Sequence, residues 1–408
     1  MIIRIYIHSK IFGIATAFQD LGFTMLPITH QQASSRLDMF LPLAGGAYAK
    51  KRNYDYGAHN HDNVSRLSAA LRRRTILEQD VIKSVLGAHS YKGAEKYIQE
   101  VFWRTYWKGW LEMRPSLWAD YCNQVKHGFK QTEQLSLAMT GQTGIEAFDS
   151  WHKELTETNY LHNHARMWFA SIWIHTFGLP WQAGAALFMS HLLDGDPASN
   201  TLGWRWVAGL QTRGKAYGAR ADNIDQFTNG RFAPYGQLHE DVAAIPGPEN
   251  PPAMSIREPR SANGNSALLL LTPEDCHPES LPLAQKPVAV AHMPSGLVKD
   301  RAQAVMDADN EAMKDALARA SSHFNITSYG DISSQNWQKD IHNIMAECGA
   351  DHIIMPFQPV GFWRDILSDT DLPISEILRP YDNLCWPHAK KGFFPFKEKI
   401  PHFISSLL

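Results

Sequence analysis

The stretch His191–Trp206, HLLDGDPASNTLGWRW, sets two acids, an asparagine and two tryptophans on a turn interrupted by Gly and Pro. Such a backbone wraps a flat, polar ligand: carboxylates take hydroxyl and cationic partners, while indoles stack on a planar ring. Of the 13 Trp in the chain, ten fall between Trp103 and Trp206. Core packing rarely concentrates its largest side chain in this way. The cluster points to stacking of a ring-shaped ligand, stacking of a nucleobase, or electron transfer.

A second group lies upstream. In YIQEVFWRTYW, Glu100, Trp103, Arg104 and Trp107 follow helical spacing, so one face presents an acid, a guanidinium and two indoles. An amphipathic helix with a salt bridge would have the same spacing. The sharper reading is a cavity wall that stacks a base on Trp103 while Glu100 hydrogen-bonds its edge. In LHNHARMW, Asn163, Arg166 and Met167 again share a face. A buried Arg166 needs a carboxylate, because an unpaired interior charge costs several kcal/mol, and Asp194 is the expected partner. Val64–Ser68 (VSRLS) offers two hydroxyls and backbone amides where a helix opens, which is either an ordinary cap or a seat for phosphate oxygens.

These residues need elements to hold them. From about Asn63 to Leu193 the apolar spacing is helical, with caps at Ser90 and Asp149. VSRLSAALRRRTILEQDVIKSVL, GAEKYIQEVFWRTYWKGWLEM and YLHNHARMWFASIWIHTF each read as at least three turns. Ile245–Ser266 carries five Pro and little apolar content, the composition of a linker. Beyond it, ALLLLT, VAVAH, HFNITS and DHIIMPF read as strands, the first two buried on both faces, alternating with helices over Lys299–Ala320 and through Met345. The division expected is an uncertain or disordered start over 1–20, a helical domain over 21–240, a linker over 241–265 and a doubly wound α/β domain over 266–408. Neither GxGxxG nor GxxxxGK[ST] occurs in the α/β part, which argues against a nucleotide site of the Rossmann or P-loop kind there.

Composition sets wider bounds. An apolar share of 44% and a charged share of 20% are those of a globular protein. No apolar run approaches the roughly 18–20 residues needed to cross a bilayer, and the start lacks a signal-peptide cleavage pattern. Cys122, Cys276, Cys348 and Cys385 form no CxxC pair and read as free buried thiols in a reducing cytoplasm, with a cluster-ligand role as the alternative. The net charge of −2 conceals an asymmetry: residues 1–120 hold 16 Lys and Arg against 10 Asp and Glu. Lys50–Arg52 and Arg72–Arg74 supply most of that excess, a solvated face or a reader of the phosphate backbone.

VSRLSAAL, EVFWRTYW, GQTGIEAFDSWHKEL, LHNHARM and DGDPASNTLGWRW stand in an order and at separations that resemble the FAD-binding domain of the photolyase/cryptochrome family, over about Tyr54–Pro234. The resemblance implies an all-helical domain holding FAD in a U shape, with a cavity from the surface to the flavin. By this resemblance Ser65, Leu67 and Ser68, in a loop with Val64 and Arg66, hold the FAD phosphates, assisted by Arg104. Arg166, Asp194, Gly195 and Asp196 contact the isoalloxazine and ribityl region, with Asn163 nearby. Asn200 faces flavin N5, where photolyases carry Asn and plant cryptochromes Asp. Glu100, Trp103, Asn163, Met167 and Trp206 line a pocket for a flipped-out pyrimidine dimer, and Arg72 and Arg73 lie on a DNA-binding face. The pocket resembles the cyclobutane-dimer type, since enzymes of the (6-4) type place His where Asn163 and Met167 stand.

The activity so implied is light-driven, FAD-dependent splitting of cyclobutane pyrimidine dimers in DNA by electron transfer from excited reduced flavin, a carbon–carbon lyase reaction. The alternatives are a cryptochrome-like blue-light receptor that binds FAD without repair, and an FAD- and DNA-binding protein without catalysis. The chain departs from the family in three ways. Val64 stands where Thr is usual. Trp204 and Trp181 match the inner two members of the family's Trp chain, but the outer one is missing, leaving Tyr121, Tyr160 or Trp173 as substitutes. The α/β segment follows the helical domain rather than preceding it, so a swapped order is expected; an antenna chromophore there is possible on the family pattern, as is a purely structural role. A soluble, cytoplasmic monomer completes the expectation.

Overall fold

The computed structural model describes residues 26–407; the expectation for residues 1–20 falls outside them. Helices come first: α1 His30–Phe40, α2 Gly46–Lys51, α3 Ser68–Arg73, α4 Glu78–Ala88, α5 Tyr91–Glu112, α6 Ser116–His127, α7 Glu133–Thr140, α8 Glu146–Thr158, α9 Asn163–Ser171, α10 Trp181–His191, α11 Pro197–Val207 and α12 Ala221–Phe227. Local chemistry sets their ends. The Ser90 hydroxyl accepts from Gly93 N at 3.2 Å and opens α5, while Asp196 caps α11 from the Ser199 amide at 2.6 Å, with Pro197 as its first residue. Asp149 sits inside α8 and reaches back to the amides of Thr143 and Gly144 at 2.9 and 3.0 Å.

The single helix expected over 64–86 is two. Arg74 takes a left-handed conformation (φ 50°) and closes α3, and Arg66 (φ 59°) turns the loop before it. No propensity signal marks either arginine for that geometry. Buried partners hold Arg74 there: Asp382 at 2.6 Å and Glu78 at 3.3 Å.

After the helices come β1 Ala267–Leu271, β2 Ala289–His292, α13 Gln303–Phe324, β3 Thr327–Tyr329, α14 Trp337–Cys348, β4 His352–Pro356, α15 Phe362–Ser368 and β5 Ile374–Ile377. The five strands form one parallel sheet in the order β3-β2-β1-β4-β5. Every residue of β1, β2 and β4 is buried. Along β1, Ala267, Leu269 and Leu271 face a layer containing Ala312 and Met313 of α13; Leu268 and Leu270 face Ile341, Trp363 and Leu367 on the other side. This is the two-faced burial of a doubly wound sheet.

Two findings revise the boundaries drawn above. The sheet ends at Ile377, and the rest of 266–408 (α16 Pro380–Cys385, α17 Phe393–Lys397, α18 Ile400–Leu407) returns to the helical part. Tyr381, Cys385, Phe393, Phe396 and Phe403 join its core. Gly109 of α5 permits this, since a Cβ there would lie 2.8 Å from Trp386 Cα. In the opposite sense, Leu26 and Ile28 pack with the sheet's cluster. The Pro-rich stretch is likewise strapped down: Met254 N donates to Met113 O at 3.0 Å, and Arg257 pairs with Glu376 at 2.6 Å. Among the described residues no helix is long and apolar enough to cross a membrane. Cys276 and Cys385 are buried free thiols, and Cys122 and Cys348 are half-buried free thiols.

Candidate functional site: a charged cradle with unpaired atoms

Three elements converge on the Asp194–Asp196 turn. Arg166 of α9 reaches Asp194 at 3.0 Å, the pair drawn from the sequence. Arg104 of α5 lies 3.7 Å from Asp196 and donates to the Ser68 carbonyl at 3.4 Å. Lys108, one helical turn further on, lies 3.8 Å from Asp196 and 3.4 Å from Glu274 in the loop after β1. Burial alone would raise both aspartates. Arg166, with the Ser68 hydroxyl and Arg104, holds Asp194 below the usual carboxylate range; Lys108 and Arg104, with the Ser199 amide, do so for Asp196. Both acids are therefore ionised in the interior.

The cradle is not saturated. Asp194 Oδ1, Asp196 Oδ2, Arg104 Nη1, Ser199 Oγ, Thr201 Oγ1 and His162 Nε2 are buried with no hydrogen-bond partner within the chain. Interior polar atoms are nearly always paired, so a group of orphans in one place marks a ligand's position. Acceptors and donors mixed at a turn suit a ligand carrying hydroxyls, ring nitrogens and phosphates, and in that sense these residues fit FAD. Burial drives His162 down to about 3, so it is neutral; its Nδ1 accepts from His164 N at 3.2 Å, which leaves Nε2–H as a donor.

The VSRLS loop lies against the same turn. The Val64 and Ser65 carbonyls accept from Arg36 at 3.1 and 2.8 Å. The Ser65 hydroxyl accepts from Leu67 N at 3.4 Å, and Leu67 is fully buried. Arg66 and Arg166 both sit over the Tyr160 ring, at 6.0 and 5.4 Å. A Cβ on Gly195 would lie 3.0 Å from Leu192 O, so any side chain there would press on that carbonyl. Asn200 is buried and donates to Ala185 O at 2.8 Å. Arg36, His162 and Lys108 were missed from sequence, and Tyr160, expected only as an electron-relay substitute, instead lies under Arg66 and Arg166. Lys108 was within reach, standing four residues after Arg104.

The residues assigned to a substrate pocket lie nearer the surface. Glu100 is half-buried and pairs with Arg52; burial raises its carboxyl, and Arg52 and Lys96 oppose that. Trp103 has one face covered, since Phe393 of α17 stacks on it at 3.6 Å and 11°; nothing local in the sequence signals that contact. Trp206 stacks on Tyr217 at 5.4 Å, Asn163 is exposed and Met167 half-buried. A cleft of about 480 Å³ beside Tyr217 is lined by His164, Arg220 and Asn223 and by none of the assigned residues.

Two assignments are corrected. Arg72 and Arg73 are not on a DNA-facing surface. Both are buried at the junction with the α/β part, Arg72 paired with Glu274 at 2.8 Å and Arg73 with Asp309 at 2.7 Å. A run of three arginines reads as solvated unless its distant carboxylates are known.

The aromatic residues fall into two files. Trp204 contacts Trp173 at 6.2 Å and Phe188 at 5.1 Å, and its indole N–H has no partner. Trp181 stacks on Tyr121 at 5.8 Å, which leads to Trp118 at 5.4 Å. Elsewhere, buried Asp55, His61 and Glu154 bring possible metal-ligand atoms within 4.8 Å. Asp55 is engaged by Arg231 at 2.8 Å and Trp151 at 3.0 Å, and His61 by Glu154 at 3.0 Å.

Comparison with known proteins bears on this region. Residues 97–236 match the family described as the FAD binding domain of DNA photolyase. The deoxyribodipyrimidine photo-lyase of Streptomyces griseus is 30% identical over 176 residues, 40% of this chain and 38% of that protein. The enzyme of the same name from Synechococcus is 31% identical over 199 residues, 46% and 40%. The solved bacterial class III photolyase of Agrobacterium tumefaciens aligns at 23% identity over 49% of this chain and 43% of its own, with a TM-score of 0.42. Over this helical region the chain is similar to the FAD-binding domain of the photolyase family. It spans about two-fifths of the length of these curated relatives.

Proposed function

We propose that the protein binds FAD at the Asp194–Asp196 cradle and splits cyclobutane pyrimidine dimers in DNA under light. The observation that carries the reading is the set of unpaired buried atoms at that turn, inside the segment that matches an FAD-binding domain. When bound, reduced flavin supplies the photoexcited electron. Arg166, Asp194 and Asp196 hold the isoalloxazine and ribityl end, the Val64–Ser68 loop and Arg104 take the phosphates, and Asn163 and Asn200 complete the lining. Buried apolar neighbours such as Phe188 exclude water. Glu100 is the hydrogen-bonding group for the dimer's carbonyl edge, with Arg52 moving aside to release it, and Trp103, Asn163, Met167 and Trp206 form the walls. Trp204 with Trp173, or Trp181 with Tyr121, would be the aromatic pairs to carry electrons from an external reductant toward the cradle. The DNA partner, the monomeric state and a cytoplasmic location belong to the same proposal.

The reading is tested by the absorption spectrum of the purified protein, followed by illumination near the reduced-flavin band with a thymine-dimer oligonucleotide and a reductant. Flavin bands with light-dependent dimer loss are expected; absence of flavin overturns the proposal. One observation favours a second reading, a light sensor without repair: Phe393 covers a face of Trp103 that a base would use. Flavin without dimer loss would select it.

A further inference from the structure

Phe394 is 79% exposed, the most exposed of the large apolar side chains among the described residues. Scattered exposed apolar residues are ordinary and need no ligand. What distinguishes this one is its mounting. Its neighbour Phe393 is stacked on Trp103 at 3.6 Å, and Phe396 is buried against Phe102 and Tyr106. The Lys391 carbonyl accepts from Tyr106 Oη at 2.8 Å, and the Lys390 carbonyl from Arg114 at 2.8 Å. Pro395 fixes the next φ. The turn is thus held rigidly on α5 with one aromatic ring projecting outward.

Its surroundings are cationic. Lys390, Lys391 and Lys399 are exposed around Phe394, with exposed Glu398 the adjacent acid; Lys397 pairs with Glu95 at 3.4 Å. On the same helix, Lys96 precedes Glu100 by one turn, and Lys50 and Lys51 are exposed on α2, which packs against α5. Glu100 and Trp103 therefore sit on the helix against which both positive segments pack. A polyanion matches that charge, and a rigid aromatic ring held on the helix that carries Glu100 and Trp103 matches a duplex that has lost stacking.

We propose that Phe394 is a wedge that enters the DNA duplex where a dimer is extruded, with Lys390 and Lys391 on the flanking phosphates. This rests on the dimer reading above and assigns the protein side of its DNA contact. Extrusion leaves a gap in the stack, and an inserted apolar side chain offsets the unstacking. The turn is already ordered, so insertion costs little further conformational freedom.

The test uses the full chain with FAD bound, in the dark, against three probes: a duplex with one thymine dimer, the same duplex undamaged, and the single strand bearing the dimer. F394A should weaken binding to the dimer duplex about tenfold, as loss of one base–aromatic stack does, and F394W should restore it. The single strand has no gap to fill, so its affinity should be unchanged. A 2-aminopurine placed opposite the dimer should brighten with the parent protein and stay dim with F394A. The K390A/K391A double variant should lower the slope of log affinity against log salt by roughly 0.9 per lost phosphate contact. Unchanged duplex affinity in F394A, or an equal loss on the single strand, overturns the wedge alone. If the parent protein does not prefer the dimer duplex to the undamaged one, the wedge and the dimer reading fall together.

Discussion

Two buried charge clusters lie side by side, and they differ in how closely their charges are paired. At the junction with the sheet, Arg72, Arg73, Arg74 and Arg379 meet Glu274, Asp309, Asp382 and Asp275 in close pairs, Arg379 reaching Asp275 at 2.5 Å. At the Asp194–Asp196 turn the same residue types pair more loosely and leave acceptors and donors without hydrogen bonds. Both clusters incur the desolvation of charge, and the first recovers more of it, in ion pairs of 2.5 to 2.8 Å against 3.0 to 3.8 Å in the second. The closely paired cluster fastens two parts of the molecule, while the loosely paired one is the ligand seat proposed above. Residue type does not separate the two, and pairing does.

Breaking the closely paired cluster should have the largest effect. Arg74→Ala strands Asp382 and Glu78 in the interior and should cost about 3–5 kcal/mol. Thermal denaturation would show the loss whether or not FAD is present; a shift seen only in the holoprotein would erase the distinction between the clusters. Asp194→Ala should behave oppositely, with FAD occupancy falling sharply and the melting temperature of the FAD-free protein changing less. For the parent protein, FAD at a hundred times its Kd should add about 2.7 kcal/mol. Asp194→Ala should lose most of that increment.

Acid titration sharpens the contrast. Asp194 and Asp196 sit below the ordinary carboxylate range, so each binds its proton less readily folded than unfolded. The stability they contribute is complete above the ordinary value of about 4 and is lost as pH falls through the depressed folded values. Melting temperatures followed downward from neutral pH should decline in that acid window, and the double variant Asp194→Asn/Asp196→Asn should flatten this part of the curve. A decline beginning near neutrality would point to other groups. The smallest effect on stability belongs to Glu100→Gln. Its pair with Arg52 is partly solvated, so folding should change by no more than about 0.5 kcal/mol, while light-dependent dimer loss should fall well below that of the parent.

The sequence was most informative where contacts are local. Three of the five strands and the long helices follow from apolar runs and periodicity, while HFNITS meets β3 only at Thr327 and Ser328 because its first two residues close α13; the Arg166–Asp194 pair follows from one interior cation needing one carboxylate. The alternating strand Ile374–Ile377 was passed over because it is short and half-buried. Long-range effects were not visible. Arg72 and Arg73 looked like a surface run because Glu274 and Asp309 stand some two hundred residues away. Phe393 gives no local sign that it will cover Trp103, and the tail's return to α5 depends on Gly109 rather than on any pattern in the tail.

That return path gives the chain an interlaced character. Leu26 and Ile28 lie with the sheet, residues 380–407 lie with the helices, and the Pro-rich stretch is pinned at both Met113 and Glu376. The connecting peptide is therefore not what keeps the two halves together. A protease nick between Pro251 and Ser266 should leave the two fragments co-eluting in native buffer, separable only by a denaturant, and melting as one cooperative unit.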